Sequence, residues 1–185
     1  MNEQPEGYEH LSQYIGMQSQ PQTAWDCVES GAVRRFIQAV MDDDPVYWDP
    51  AAAAKSKYGT LVAPPLYPSY SFRRPANVPD SFDLVAENPD LDGTESRFVA
   101  AGAKPFNRTL PKIDVPQKRV LNGGVDAEFF SLPHHGDRIT SQSRYADVYV
   151  RQGSKGPMVF IVTETTYTQQ DGRLLAKVRN TTIRR

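Results

Sequence analysis

The chain has 185 residues, of which 39% are hydrophobic and 23% charged, and this length suits one globular domain better than two. Lys plus Arg (21) nearly balance Asp plus Glu (22), for a formal charge of −1, so no strong basic field is present and a nucleic-acid partner is disfavoured. One cysteine excludes an internal disulfide, and three histidines argue against a His-rich metal site.

The beginning of the chain lacks the basic and apolar pattern of a secretory signal. No stretch reaches the ~18 consecutive apolar residues of a membrane-spanning helix. We therefore expect a soluble cytoplasmic protein with no membrane partner.

The clearest periodic segment covers residues 30–41 and predicts an amphipathic helix. Its apolar residues recur at the spacing of one helical face: Val33, Phe36, Ile37, Val40 and Met41. Ser30 is the expected N-cap, and Pro45 bounds the far end because a proline pushes the preceding residue out of the helical region. The solvated side is expected to carry Arg34, Arg35 and Gln38.

The middle of the chain is rich in proline. Between Pro64 and Pro116 lie 9 of the 15 prolines, with little periodicity, which predicts an irregular insertion over residues 73–118. Residues 63–72 are apolar and aromatic and are suited to begin a buried helix. The segment 121–124, Leu-Asn-Gly-Gly, predicts a turn at the end of the insertion.

The last third has the composition of β-strands. Four segments rich in Val, Thr, Tyr, Phe and Ile are separated by Gly, Pro and Asp turns, namely residues 125–130, 139–151, 158–169 and 174–183. We expect antiparallel strands in a meander, with the helix covering one face of the sheet. The fold class is therefore α+β, in a single domain over residues 1–185 with its core in 14–185.

Five fragments in this order resemble the MaoC-like dehydratase family, and most closely its N-terminal dehydratase domain. They cover residues 28–36, 43–47, 59–65, 121–128 and 133–139. The resemblance implies a hot-dog fold, in which an antiparallel sheet wraps around a central helix. It also implies hydration of enoyl thioesters, or dehydration of 3-hydroxyacyl thioesters, on CoA or a carrier protein. This chemistry needs no cofactor.

One motif departs from the family. Active R-specific hydratases carry Asp-x-Asn-Pro-(Leu/Ile/Val)-His, whose Asp and His hold and activate one water molecule. Here the matching stretch runs from Asp42 to Tyr47, so tyrosine replaces histidine. A tyrosine ionises near pH ~10 and is a poor general base at neutral pH, although it is a good hydrogen-bond donor. The resemblance thus implies that this chain carries no catalytic pair of its own.

Three hypotheses follow from that departure. The first is a subunit of a heteromeric enoyl-CoA hydratase that lines the tunnel for a bulky acyl group, such as a steroid side chain or a fatty acyl chain, beside a second hot-dog subunit with Asp and His. The second is a homodimeric dehydratase that uses Asp42 with Tyr47, or with His134 or His135 of a neighbouring subunit. The third is a non-catalytic acyl-CoA binding or assembly module. All three expect self-association, because a hot-dog sheet leaves an exposed edge strand.

The resemblance also suggests substrate-binding residues. Residues 64–67 match the start of the family's central helix, where free N–H groups of Leu66 and Tyr67 would stabilise charge on a thioester oxygen; the alternative is a rigid loop, including Pro65, that caps the core. Arg73 and Arg74 are candidates for the CoA phosphates, or are merely solvated.

The remaining candidates have equally simple alternatives. Tyr47 either lines the substrate tunnel or packs as an aromatic side chain beside Trp48. Asp42, Asp43 and Asp44 lack the further oxygen ligands of a divalent metal site, and we expect a solvated turn with local compensation. His134 and His135 are expected in an exposed turn.

Overall fold

The computed structural model describes residues 7–72 and 110–185, whose strands form one antiparallel sheet in the order β1-β3-β4-β5-β2. The strands are β1 (Gln22–Thr23), β2 (Val120–Phe129), β3 (Ile139–Gly153), β4 (Gly156–Gln169) and β5 (Leu174–Arg184). The α-helices are α1 (Ser30–Val40), α2 (Pro50–Lys55) and α3 (Tyr67–Tyr70), and two 3-10 helices cover Glu9–Tyr14 and Pro45–Tyr47. The predicted α+β class is confirmed. No helix among the described residues is long and apolar enough to cross a membrane.

Only part of the predicted meander exists. Strands β3, β4 and β5 are joined as neighbouring hairpins, but β2 pairs with β5 at the edge of the sheet and not with β3. The predicted turn at residues 121–124 is wrong, since this segment lies inside β2. Gly123 and Gly124 form a β-bulge there, where the register with β5 shifts. Gly124 has φ +121°, and a Cβ on Gly123 would lie 2.8 Å from the Thr181 side chain, so both positions require glycine.

One face of the sheet is covered by two apolar clusters at its two ends. Alternate residues of β4 point to the same face of the sheet. On that face Tyr167 belongs to the cluster at one end, the first cluster, and Val159 belongs to the cluster at the other end, the second cluster. The first cluster packs α1 and the segment around Val62 on the sheet. The second cluster includes Leu11 and Ile113, so residues ahead of Tyr14 also enter the core.

Helix α1 confirms the periodicity prediction over most of its length. Val33 and Ile37 are buried against the sheet, whereas Arg34, Arg35 and Gln38 are exposed. The apolar face ends early, because Met41 adopts a left-handed conformation (φ 57°) and leaves its side chain 90% exposed. Ser30 is not the N-cap: Glu29 occupies that position, and Ser30 is the first helical residue.

The apolar segment after the prolines, expected to begin a buried helix, forms the short helix α3. Among the described residues only the four residues of α3 are helical there, and the predicted insertion continues over residues 73–109, outside the described part of the chain. Residues 110–119, which the structure does describe, form neither helix nor strand.

Candidate functional site

Tyr47 ends the second 3-10 helix and is buried in the first apolar cluster, 8% exposed. Burial, followed by the nearby carboxylates of Asp42 and Asp44 and by Tyr58, raises the pKa of its hydroxyl to about 12. A phenol with this pKa keeps its proton at every physiological pH. Tyr47 can therefore donate a hydrogen bond but cannot act as a general base.

The acidic segment before Tyr47 is tied to its own backbone. The Asp42 Oδ1 atom accepts a hydrogen bond from the Asp44 N–H at 3.3 Å. Asp44 Oδ1 accepts one from the Val46 N–H at 3.1 Å and so caps the 3-10 helix. These bonds supply the expected local compensation for the clustered carboxylates. They also orient Asp42 and Asp44 around the loop that carries Tyr47.

The segment around α3 fits the rigid-loop alternative better than an anion-binding helix start. The Tyr67 N–H, expected to be free, donates to the Pro64 carbonyl at 2.9 Å. The Leu66 N–H makes no hydrogen bond to another described residue, and the Leu66 side chain is 49% exposed. Pro65 is partly buried. Tyr67 is 2% exposed and packs edge-on against Phe36, with ring centroids 5.7 Å apart.

Two candidate residues cannot be placed. Arg73 and Arg74, suggested for the phosphates of CoA, lie outside the described residues.

The two histidines lie at a turn, as expected, but they are half-buried instead of exposed, and side-chain hydrogen bonds anchor their loop. The His134 N–H donates to Asp137 Oδ2 at 2.6 Å, and Gln169 donates to Asp137 Oδ1 at 2.7 Å. Asp137 is 7% exposed. Arg173 donates to His134 Nδ1 at 3.1 Å.

His135 is held at the candidate site. Its Nδ1 lies 2.9 Å from the Ser30 Oγ, and its ring faces the backbone of Val62 and Tyr47. The fold thus brings His135 to Tyr47 within one chain, whereas the sequence suggested a histidine of a neighbouring subunit.

Sequence reasoning missed three contributors to this site: Tyr58, Ser30 and helix α2. A signal for α2 was present, since Asp49 precedes Pro50 and a run of alanines, which is a typical helix start. The Asp49 carboxylate indeed accepts a hydrogen bond from the Ala51 N–H at 2.8 Å. Helix α2 separates Tyr47 from Tyr58 in the chain, and the two phenols nevertheless lie close enough to interact electrostatically.

Comparison with known proteins identifies the family. The family model described as "FAS1-like, dehydratase domain region" matches residues 13–178. Since the match covers most of the chain, the chain belongs to this family of dehydratase domains, as the resemblance to MaoC-like dehydratases implied.

Solved structures confirm the predicted hot-dog fold. The ChsH1-ChsH2 complex from Mycobacterium tuberculosis is similar with a TM-score of 0.63 and 19% identity, over 90% of this chain and 83% of that one. The HadBC complex, a 3R-hydroxyacyl-ACP dehydratase from the same organism, has a TM-score of 0.59 and 21% identity, over 92% of this chain and 96% of that one. A MaoC-like dehydratase from Rhodospirillum rubrum has a TM-score of 0.53 and 14% identity, over 91% of this chain and 90% of that one.

Two curated proteins are also similar in sequence. A UPF0336 protein from Saccharopolyspora erythraea is 23% identical over 172 residues, which are 93% of this chain and 89% of that protein. Teneurin-3 from Danio rerio is 29% identical over 102 residues, and this chain spans only 4% of its length.

Proposed function

We propose that this chain is the substrate-tunnel subunit of a heteromeric MaoC-like enoyl-CoA hydratase, or 3-hydroxyacyl-CoA dehydratase, and that a second hot-dog subunit supplies the catalytic Asp and His. The proposal depends on the position and the protonation state of Tyr47. Tyr47 stands at the family's histidine position, and the pKa of its hydroxyl is about 12.

The chemistry of the reaction makes that substitution decisive. Hydration of an enoyl thioester needs a group that takes a proton from water near neutral pH. Tyr47 remains protonated near neutral pH. Asp42 is partly exposed and is not followed by the histidine that ends the family's motif. His134 and His135 lie outside the motif, and Nδ1 of each already has a partner, Arg173 for the first and Ser30 for the second. The His135 Nε2 is buried. A base from another subunit accounts for a hydratase built on this chain.

The exposed edge of the sheet supports a second hot-dog subunit as the partner. Strand β2 has β5 as its only neighbouring strand among the described residues, and all ten of its residues are exposed. Val125 is 55% exposed and Phe129 46%, an apolar surface that an edge strand seldom leaves uncovered. Joining two sheets along such an edge pairs its free N–H and C=O groups. ChsH1-ChsH2 and HadBC are complexes of two different proteins.

We propose that the thioester carries an apolar acyl group, bulky and steroid side-chain-like or fatty, because aromatic side chains share the first apolar cluster with Tyr47. Tyr67 and Tyr70 contact Phe36 with ring centroids 5.7 and 5.3 Å away. We propose that Tyr47, Pro65, Leu66 and Tyr67 line the acyl site from this side. Arg73 and Arg74 would bind the phosphates of CoA through charge-assisted hydrogen bonds.

The test is a hydratase assay on the chain alone and on the chain co-expressed with a small hot-dog subunit that carries Asp and His. We expect no turnover of enoyl-CoA by the chain alone and turnover by the complex. In the complex, Tyr47→Phe should keep kcat within about tenfold of the wild type, because no proton passes through Tyr47, whereas loss of the partner's histidine should abolish activity.

Two outcomes would overturn the proposal. Robust turnover by the chain alone, abolished by Asp42→Ala or Tyr47→Phe, would establish the homodimeric dehydratase instead. A stable complex that is inactive on every acyl-CoA tested would favour the non-catalytic binding or assembly module.

A further inference from the structure

His135 lies among three separate segments that build the candidate site. Its Nδ1 lies 2.9 Å from the hydroxyl of Ser30, at the start of α1. Its ring faces the backbone of Tyr47, at the end of the second 3-10 helix, and that of Val62. These segments are separate in sequence, and the His135 ring lies where they come together.

The loop around His135 is fastened to the same segments by main-chain bonds. The His135 N–H donates to the Leu61 carbonyl at 3.2 Å, and the Ala63 N–H donates to the Pro133 carbonyl at 2.8 Å. On the other side, the Gly136 N–H donates to the Val28 carbonyl at 2.8 Å, just ahead of α1. The backbone therefore fixes where the ring lies, and the ring's two nitrogens determine what it does there.

The two nitrogens have different surroundings, which assigns the tautomer. The Nε2 atom is buried and has no hydrogen-bond partner of ordinary geometry among the described residues. Burial lowers the pKa of the His135 ring, and the backbone of Val62 and Tyr47 acts in the opposite direction, as carbonyl oxygens do. A proton on Nε2 is attracted by those carbonyls, whereas a lone pair there would be repelled. Nδ1 then accepts the Ser30 hydroxyl proton.

We propose that His135 is a positioning residue of the Tyr47 site, whose neutral ring, protonated on Nε2, accepts a hydrogen bond from Ser30 and holds the Tyr47 backbone against Val62. The inference rests on the proposed function only for the importance of Tyr47 to substrate. It assigns His135 no contact with a substrate and no proton transfer. It explains why a polar ring lies between segments that otherwise belong to an apolar cluster.

The first test is long-range proton–nitrogen NMR on the labelled chain, with His135 assigned through His135→Gln. At neutral pH we expect one neutral tautomer with the proton on Nε2. A proton on Nδ1, or averaging of both tautomers, would overturn the proposal. This measurement needs no substrate and no partner, so its failure is distinct from failure of the hydratase assay.

The second test follows the Tyr47 hydroxyl by NMR of ring-labelled tyrosine, with the signal assigned through Tyr47→Phe. His135→Phe fills the space but loses both nitrogens, so the ring no longer holds the Tyr47 backbone against Val62. The Tyr47 hydroxyl should then become more hydrated, and its pKa should move from about 12 toward 10. His135→Gln, which can still present an N–H near the Nε2 position, should restore most of the wild-type value. The matched control His134→Gln changes the neighbouring histidine, whose Nδ1 faces Arg173, and should leave Tyr47 unchanged.

An unchanged Tyr47 titration in folded His135→Phe would overturn the proposal. If that variant does not fold, Ser30→Ala tests the hydrogen bond to Nδ1. The backbone of Val62 and Tyr47 should keep the proton on Nε2, and the Nδ1 signal should shift because it loses its hydrogen bond. An unchanged Nδ1 shift, or loss of the Nε2–H tautomer, would overturn the proposal.

Discussion

At the scale of single residues, two buried ionisable side chains are shifted in opposite directions. Burial raises the pKa of Tyr47 to about 12, and neighbouring carboxylates add to the effect. Burial also tends to raise the pKa of Glu164, which is 3% exposed, but hydrogen bonds and charge from Arg179 and Arg144 outweigh it and lower that pKa. The difference lies in the neighbours: carboxylates surround the phenol, and guanidinium groups surround the carboxylate.

Glu164 should therefore be important for stability. Its Oε1 lies 2.8 Å from Arg144 Nη2 and its Oε2 2.7 Å from Arg179 Nε, in a row across β3, β4 and β5. Glu164→Gln loses the charge of these bonds and removes the counter-ion that the two guanidinium groups share, although Asp126 and Glu128 still act on Arg179. We expect a loss of about 2 kcal/mol in the free energy of unfolding, measured by urea denaturation at neutral pH.

The control for Glu164→Gln is Asp147→Asn, an exposed carboxylate on β3. It should change the free energy of unfolding by less than about 0.5 kcal/mol. Equal effects of the two substitutions would show that the Arg144–Glu164–Arg179 row contributes nothing specific.

At the scale of elements, strand β2 depends on two glycines that serve different needs. Gly124 adopts φ +121°, which side chains with a Cβ rarely reach, although the space beside it is open. Gly123 lacks space, since a Cβ would lie 2.8 Å from Thr181 Cγ2 and 3.0 Å from the Thr181 carbonyl oxygen. The bulge therefore allows β2 to continue along β5 past residue 123.

Gly123→Ala should weaken the pairing of β2 with β5. The new methyl group meets a backbone oxygen that cannot move without disturbing β5, so we expect destabilisation of about 1–3 kcal/mol in urea unfolding. Pairing with a second subunit should weaken as well, if that subunit joins at β2. This second effect is measured by sedimentation of the co-expressed complex.

The matched control is Gly31→Ala in α1. A Cβ there meets nothing within 4 Å, and alanine favours a helix over glycine by up to about 1 kcal/mol. Gly31→Ala should be neutral or slightly stabilising. If both substitutions had the same effect, the close contact at Gly123 would not be the cause.

At the scale of the whole molecule, Tyr47 links stability to alkaline pH. Its hydroxyl has a pKa of about 12 in the folded chain and ~10 when unfolded. The unfolded chain therefore loses this proton first, so the contribution of Tyr47 to stability is complete below about pH 10 and is lost as pH rises toward 12.

Tyr47→Phe should remove that dependence. Near pH 8 the variant should match the wild type, because the hydroxyl makes no hydrogen bond to another described residue. Above about pH 10 the variant should become the more stable of the two in urea unfolding. Parallel curves for both proteins up to pH 11 would contradict the raised pKa.

The sequence by itself determined the local elements and the chemistry of the motif. The apolar spacing around Val33 and Ile37 predicted α1, alternation predicted the long strands, and the tyrosine at position 47 is the basis for proposing that the catalytic base lies on another subunit. These signals are short-range, since the period of a helix or strand and the identity of a side chain are properties of a few neighbouring residues.

Only the tertiary structure decided which distant segments meet. It placed β2 beside β5, made Gly123 and Gly124 a bulge instead of a turn, and brought His135 to Tyr47. It also buried the Tyr47 side chain, without which the pKa of its hydroxyl would be ordinary. The physical reason is that strand order, burial and electrostatic environment depend on contacts between residues up to about a hundred positions apart, which no local pattern records.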